Sequence, residues 1–296
     1  MNHHGRHGTA NRTTLLSPED VSFFQQVLPR IRKWREWFHV TQCGGAWNCS
    51  TTQASLRKRV LSPSSSSAMG GEEDDVASSV FQYRWRSRNG FHLLACGLDD
   101  YPRPVCPGRH RSELHLDLFS WISLMDVLIE EIASDLQMTV VGNDDDDRRS
   151  RIASLRSQWE QRLVDVHWDA AAGRFADVTG CRPHHRGASP QQSPRHPQHE
   201  TFRETYSPYV GYVSLFPLLT MTVDDKEKAL AVLRLAKQLN TGFGLASLST
   251  ASRNLTTKYR LNHENYWTGP IWMNLNFMFL RALKLKYMEL LGGEAE

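Results

Sequence analysis

Apolar residues recur at helical spacing in several long stretches of this chain. Ser17-Pro18-Glu19-Asp20 has the form of a helix start, with Ser17 as N-cap, proline at the first helical position and acids in the first turn. Phe24, Val27, Leu28 and Ile31 follow, then Trp34, Trp37 and Phe38, which predicts a helix broken or kinked at Pro29. From Glu113 to about Leu136 the pattern is strongest. Leu114, Leu118, Trp121, Ile122, Met125, Leu128, Ile129 and Ile132 mark one face of a long helix. Further helices are predicted around Ile152, Leu155, Trp159 and Leu163, and over 224–239 with Leu230, Leu233 and Ala236 inward. A last helix over 269–287 is apolar around most of its circumference and is therefore expected to be buried, alongside the one at 113–136. The apolar run 209–220 contains Pro217, which argues against a central strand and for a short helix or loop inside the core. No alternating strand set is visible, so the fold class expected is all-α.

The polar stretches divide the chain. Residues 1–16 are expected to be disordered, 17–290 to form one helical domain, and 291–296 to be a tail. Three insertions, at 62–79, 143–149 and 181–202, are expected to be exposed and irregular, because their composition cannot bury enough apolar surface to offset chain entropy. Residues 81–110, rich in Gly, Arg, Pro and Asp, are expected to form ordered loops.

Composition narrows the function more than it names it. The net charge of +3 over 296 residues argues against a nucleic-acid surface. No run approaches the ~20 apolar residues of a membrane span, and the polar first fifteen residues resemble neither a signal peptide nor an anchor. Five cysteines without tight repeated spacing give neither a zinc site nor a disulfide framework. Asn11, Asn48 and Asn254 head N-x-S/T sequons, compatible with a secretory lumen. The nine tryptophans suit either sugar-stacking walls or a large core.

The stretch YRWRSRNGFHLLACGLDDYPRP gathers Arg84, Arg86, Arg88, Asp99, Asp100 and Arg103 among aromatic residues. Glycoside hydrolysis needs two carboxyl groups flanking the bond, and Asp99 and Asp100 follow a glycine in a loop, where at least one can project into a cleft. A loop closed by Asp–Arg ion pairs is the alternative. Glu113 and Asp117 stand at i and i+4, predicting one helix face, either as site acids or as a helix-terminal charge pair. The run Asp144–Asp147 lacks the glycine and spaced ligands of a calcium loop. His184 and His185 lie in the third insertion, where a metal role is the weaker reading. In HENYWTGPIWMNLN, Trp267 and Trp272 precede and open the last helix, as sugar wall or as core.

Together these stretches resemble glycoside hydrolase family 63, the processing α-glucosidases. The matching segments include LPRIRKWREWFHVTQ, YRWRSR, GLDDYPRP, ELHLDLFSWISLM, DVHWDAAAGRFAD, GYVSLFPLL, GLASLS and ENYWTGPIWMNLNFMFLRALK, in the family's order from about residue 22 to 287. The resemblance implies a partial (α/α)6 toroid. It implies inverting hydrolysis of a terminal α-1,2-linked glucose on a glucosylated N-glycan oligosaccharide in the endoplasmic-reticulum lumen, without a cofactor. Asp99 would be the general acid. Arg84, Trp85, Arg86, Asp100, Tyr101, Arg103, Glu113 and Asp117 would shape or support the pocket, and Trp267 and Trp272 would form walls. The family's general base lies in a segment beyond the helix after Trp272, so this chain alone is expected to release glucose undetectably. A non-catalytic glycan-binding remnant of the same fold, or a toroid hydrolase of another glucoside, are the alternatives.

Overall fold

The computed structural model describes residues 16–42, 82–86, 93–103, 113–141, 145–179, 205–259 and 265–292. The insertions at 62–79 and 181–202 lie outside them. The first helix, α1 (Pro18–Thr41), opens with a capping box. Asp20 N–H donates to Ser17 Oγ at 3.1 Å, and the Asp20 carboxylate accepts from Ser17 N–H at 3.3 Å. The expected break at Pro29 is absent, and the helix runs through it. A proline removes one intrahelical bond, whereas the second half of α1 is anchored by a fork from Arg35 to both oxygens of Asp126, at 2.6 and 2.7 Å.

Asp126 belongs to α2 (Leu116–Val141), whose buried side carries Leu116, Leu118, Phe119, Ile122 and Val127. An antiparallel partner follows, α3 (Asp145–His167), joined to α2 by Arg156–Glu131 at 2.8 Å and Arg148–Asp135 at 2.5 Å. The insertion at 143–149 is therefore not irregular throughout: from Asp145 onward it is helix. Asp146 and Asp147 sit in the first turn of the helix, where the dipole favours them, and Arg151 pairs with Asp147 one turn back and with Glu130 on α2. Phe119 and Trp159 meet edge to face at 5.1 Å between the two helices.

Four two-residue strands follow as two antiparallel clips, β1 (Trp168–Asp169) with β2 (Arg174–Phe175), and β3 (Val178–Thr179) with β4 (Thr205–Tyr206). They reverse the chain rather than form a layer, and the all-α reading stands. The proline-bearing run becomes α4 (Tyr212–Leu219), with all eight residues buried. Next comes α5 (Lys226–Ala236), capped by Asp225. Its buried line is Ala229, Val232, Leu235 and Ala236; Leu230 and Leu233 flank the core half-buried, so the inward face is rotated from the expected one. A short α6 (Thr250–Tyr259) precedes the last helix, α7 (Met273–Ala282), which continues through a π-turn at Leu283–Tyr287 to Leu290.

The expected burial of this last helix is corrected. Leu275, Ala282 and Tyr287 are buried, but Met273 is 81%, Phe277 64%, Leu280 64% and Met288 61% exposed. A helix that is apolar all round carries no signal for which side faces inward. Here polar contacts choose. Lys286 Nζ donates to Met221 O at 2.7 Å, and Tyr287 Oη to Val223 O at 3.1 Å. Both grip the loop after α4, and the π-turn is where they leave the helix. Among the described residues, no helix is long and apolar enough to cross a membrane.

Candidate active site

Leu94–Cys96 form one 3-10 turn, closed by Gly97 at φ +73°, a left-handed conformation that favours glycine. The chain then alternates: Leu98 is buried, Asp99 half-buried, Asp100 buried. Asp99 thus stays open to solvent while its neighbour turns in. Asp100 accepts the backbone N–H of Trp267 at 2.7 Å and of Tyr266 at 3.0 Å. One carboxylate joins two motifs separated by 167 positions in the chain, with charge-assisted bonds of the stronger kind.

On the far side of this latch, Trp267 and Trp272 stack in parallel, with ring centroids 4.2 Å apart and planes 9° apart. Trp272 Nε1 donates to Tyr266 O at 2.7 Å, and Trp272 N–H to Tyr212 Oη at 3.0 Å. Trp267 is buried and Trp272 half-buried, so the pair joins the core on one side and reaches solvent on the other.

Behind the Gly97–Arg103 loop lies a buried charge cluster. Arg103 donates to Asp117 at 2.7 Å and to Asp177 at 2.8 Å. Burial opposes the Arg103 charge, but the two carboxylates outweigh it and hold the group firmly protonated. Asp117 also accepts from Trp85 Nε1 at 3.1 Å. Asp177 takes the N–H of Leu116, in the first turn of α2, on its other oxygen at 2.8 Å. Tyr101 is buried with its ring 5.9 Å from the Arg103 guanidinium, and burial pushes its phenol well above the usual range. Burial likewise pushes the nearby Cys96 thiol up to about 11.

The expected shared helix face of Glu113 and Asp117 is not found. Asp117 is in the first turn of α2, but Glu113 precedes the helix on an extended stretch where Leu114 bridges Val178. The helix cannot start sooner, because the N–H and C=O of Leu114 are committed to Val178, at 3.1 and 3.0 Å. His115 lies between the acids. Its Nδ1 accepts the Trp85 N–H at 2.8 Å, so its proton sits on Nε2, facing Glu113 at 3.6 Å. Arg84 N–H donates to Gln42 O, and Trp85 follows it toward the site. Arg86 turns to the C-terminal end of α1, its Nε donating to Thr41 O at 3.1 Å.

The sequence reading assigned no role to Asp177, although it closes the quoted stretch DVHWDAAAGRFAD. Only its fold partners distinguish it from a surface acid. A small hollow lined by Ser123, Val127, Arg156, Trp159 and Thr220 among others shares no residue with this cluster and has no carboxylate in its lining. Among the described residues no group of three or more acids, histidines or cysteines could hold a metal ion.

Comparison with known proteins bears on this arrangement. The model of the glycosyl hydrolase family 63 C-terminal domain matches residues 8–295. The chain is 28% identical over 286 residues to a probable mannosyl-oligosaccharide glucosidase of Schizosaccharomyces pombe, covering 94% of this chain and 28% of that protein. It is 30% identical over 285 residues to the mannosyl-oligosaccharide glucosidase of Saccharomyces cerevisiae, covering 93% and 28%. Alpha-glucosidase 2 of Arabidopsis thaliana is 27% identical over 282 residues, covering 89% and 31%. The chain thus spans under a third of the length of these relatives. Among solved structures, the neutral trehalase of Saccharomyces cerevisiae overlaps 88% of this chain and 39% of its own, at 12% identity and a TM-score of 0.37.

Proposed function

This chain belongs to glycosyl hydrolase family 63, and from that premise we propose that its helices form part of an (α/α)6 toroid and that the cleft beside Asp99 belongs to a site that hydrolyses a terminal α-1,2-linked glucose from an N-glycan precursor oligosaccharide. The observation that carries the reading is the Asp100 latch, which seats the loop bearing Asp99 against the stacked tryptophans and leaves Asp99 open to solvent.

In this reading Asp99, protonated, gives its proton to the glycosidic oxygen as the bond to the anomeric carbon breaks. A water molecule attacks that carbon from the opposite face and loses its proton to a second carboxylate, about 6.5–9.5 Å from the acid in inverting enzymes. The products are glucose of inverted anomeric configuration and the shortened glycan. Trp267 and Trp272 support the apolar face of the sugar ring. Tyr101, Arg103 and Asp117 hold the pocket from behind. Two carboxyl groups and water complete the chemistry, and the setting is the secretory pathway, in the endoplasmic-reticulum lumen.

The test pairs binding with turnover. A triglucosylated oligosaccharide binds the chain more tightly than its unglucosylated counterpart, and any glucose released disappears in Asp99→Asn. Binding without turnover fits both the expectation that this chain alone releases glucose undetectably and a glycan-binding remnant of the same fold. Equal binding of both oligosaccharides, or undiminished release by Asp99→Asn, overturns the assignment.

A further inference from the structure

Phe243 is 93% exposed, the most exposed of the large apolar side chains described. It sits at the tip of a tight hairpin whose flanks, Asn240 and Leu245, bridge antiparallel. A mobile tip would make this unremarkable, but the tip is braced throughout. Gly242 N–H donates to Asn240 Oδ1 at 3.0 Å and Phe243 N–H to Thr241 Oγ1 at 3.2 Å, while Thr241 N–H closes on Gly244 O at 3.0 Å. Gly244 has φ +146°, and a Cβ there would come within 3.1 Å of Asn276 Oδ1 and of Ile271, so the turn depends on glycine both for conformation and for space.

Asn276 ties this hairpin to the site. Its Oδ1 accepts the Leu245 N–H at 2.8 Å, and its Nδ2 donates to Leu245 O, to Trp272 O and to Tyr212 Oη, at 3.1, 2.9 and 3.0 Å. The same Tyr212 hydroxyl accepts the Trp272 N–H. One framework therefore fixes both the tryptophan stack and the turn carrying Phe243. An aromatic residue presented to water on a braced backbone, with the ordering entropy of that main chain already spent in the fold, is poised to meet a ligand with an apolar face. Beside a sugar-binding cleft, that ligand is a pyranose, whose polarised C–H groups suit the negative face of an aromatic quadrupole. The hairpin Leu239–Ala246 carries no charged side chain, which suits a neutral ligand.

We propose that Phe243 is a specificity-determining platform that stacks on a sugar residue of the oligosaccharide beyond the terminal glucose. This rests on the glucosidase reading above.

The experiment measures binding by isothermal titration, with the full chain, of a triglucosylated oligosaccharide and of the α-1,2-linked glucose disaccharide. Phe243→Ala weakens the long ligand by about five- to tenfold, the worth of one aromatic contact, and leaves the disaccharide unchanged. Phe243→Trp restores the affinity. Because the side chain is exposed, the melting temperature of both variants matches the parent, which separates lost binding from lost folding. If the parent binds both ligands and Phe243→Ala binds the long one equally well, the platform is wrong while the glucosidase reading stands; the ring then faces another partner. If the parent binds neither ligand, the glucosidase reading fails and takes the platform with it.

Discussion

Asp177 shows how one residue can matter out of proportion to its sequence signal. It satisfies an N–H in the first turn of α2 and half of the Arg103 guanidinium, both out of reach of water. Asp177→Ala leaves Arg103 buried against a single carboxylate, and breaking a buried pair in this way costs about 3–5 kcal/mol. Chemical denaturation should show a loss of that size, and a smaller one for Asp177→Asn, whose carbonyl can still accept from Leu116. A second residue-scale effect concerns acid. His167 Nδ1 faces Ala176 O at 2.9 Å, and since a carbonyl only accepts, Nδ1 carries the proton and Nε2 is the bare nitrogen. Burial lowers His167 to about 4 and His39 to about 3. As pH falls from the ordinary histidine value of about 6.5 toward 4, the unfolded chain binds protons that the folded chain refuses. Stability is therefore undiminished above that window and declines through it, by up to about 1.4 kcal/mol per pH unit for each histidine. Denaturation midpoints at pH 7, 6 and 5 should show the decline, with a shallower slope in His167→Asn.

At the scale of elements, the site depends on close approach between loops that no helix contains. Gly211, at the start of α4, is extended, so its backbone tolerates any residue. A Cβ there would nevertheless come within 2.4 Å of Ser247 O and 2.7 Å of Tyr101 Oη. Gly211→Ala should destabilise by about 1–3 kcal/mol, as overpacking does, and should displace Tyr101 from Arg103. The latch gives a spectroscopic counterpart. Two tryptophans stacked at 4.2 Å couple their transitions and produce a paired circular-dichroism band. Asp100→Ala removes the bonds that hold Trp267 N–H and Tyr266 N–H, so the band should weaken. In Asp99→Asn, which leaves the latch intact, it should persist. An unchanged band in Asp100→Ala would mean the stack is held by Tyr212 and Asn276 alone.

Taken as a whole, the molecule has a well-packed side and an open one. Its core runs through Phe119, Trp159, Leu163, Phe175, Tyr212, Leu218 and Val232. Met273, Phe277, Leu280 and Met288 form an apolar row along α7 that faces water. Monomeric proteins seldom show long contiguous apolar surfaces. The chain should therefore bind a hydrophobic fluorescent dye in its native state, and Phe277→Gln with Leu280→Gln should reduce that binding without lowering the melting temperature. A dye signal unaffected by this pair would place the accessible apolar surface elsewhere, for instance at Phe23, Trp34 and Trp37 of α1.

Local chemistry determined much of this from the sequence. The Ser17 cap, the apolar stripe of α2, the pairing of Trp159 and Leu163 with the core, and the buried turn around Pro217 all depend on neighbours within a few residues, where spacing and propensity act directly. The motifs that carry the family resemblance were legible for the same reason, as short strings of fixed residues. What the tertiary structure alone decided depends on partners distant in the chain. Asp177 joined the buried charge cluster because Arg103 and Leu116 came to it. The helix of Asp117 begins too late to include Glu113 because Leu114 is committed to Val178. The first turns of α3 were secured by Asp135, Glu130 and Asp147. The last helix turned its apolar row outward because Asn276, Lys286 and Tyr287 found polar partners on the other side, a choice its nearly uniform hydrophobicity left undetermined. A pattern along the chain specifies how a segment coils; which face it buries, and which charges it meets there, is settled by hydrogen bonds and ion pairs that form only when the segments come together.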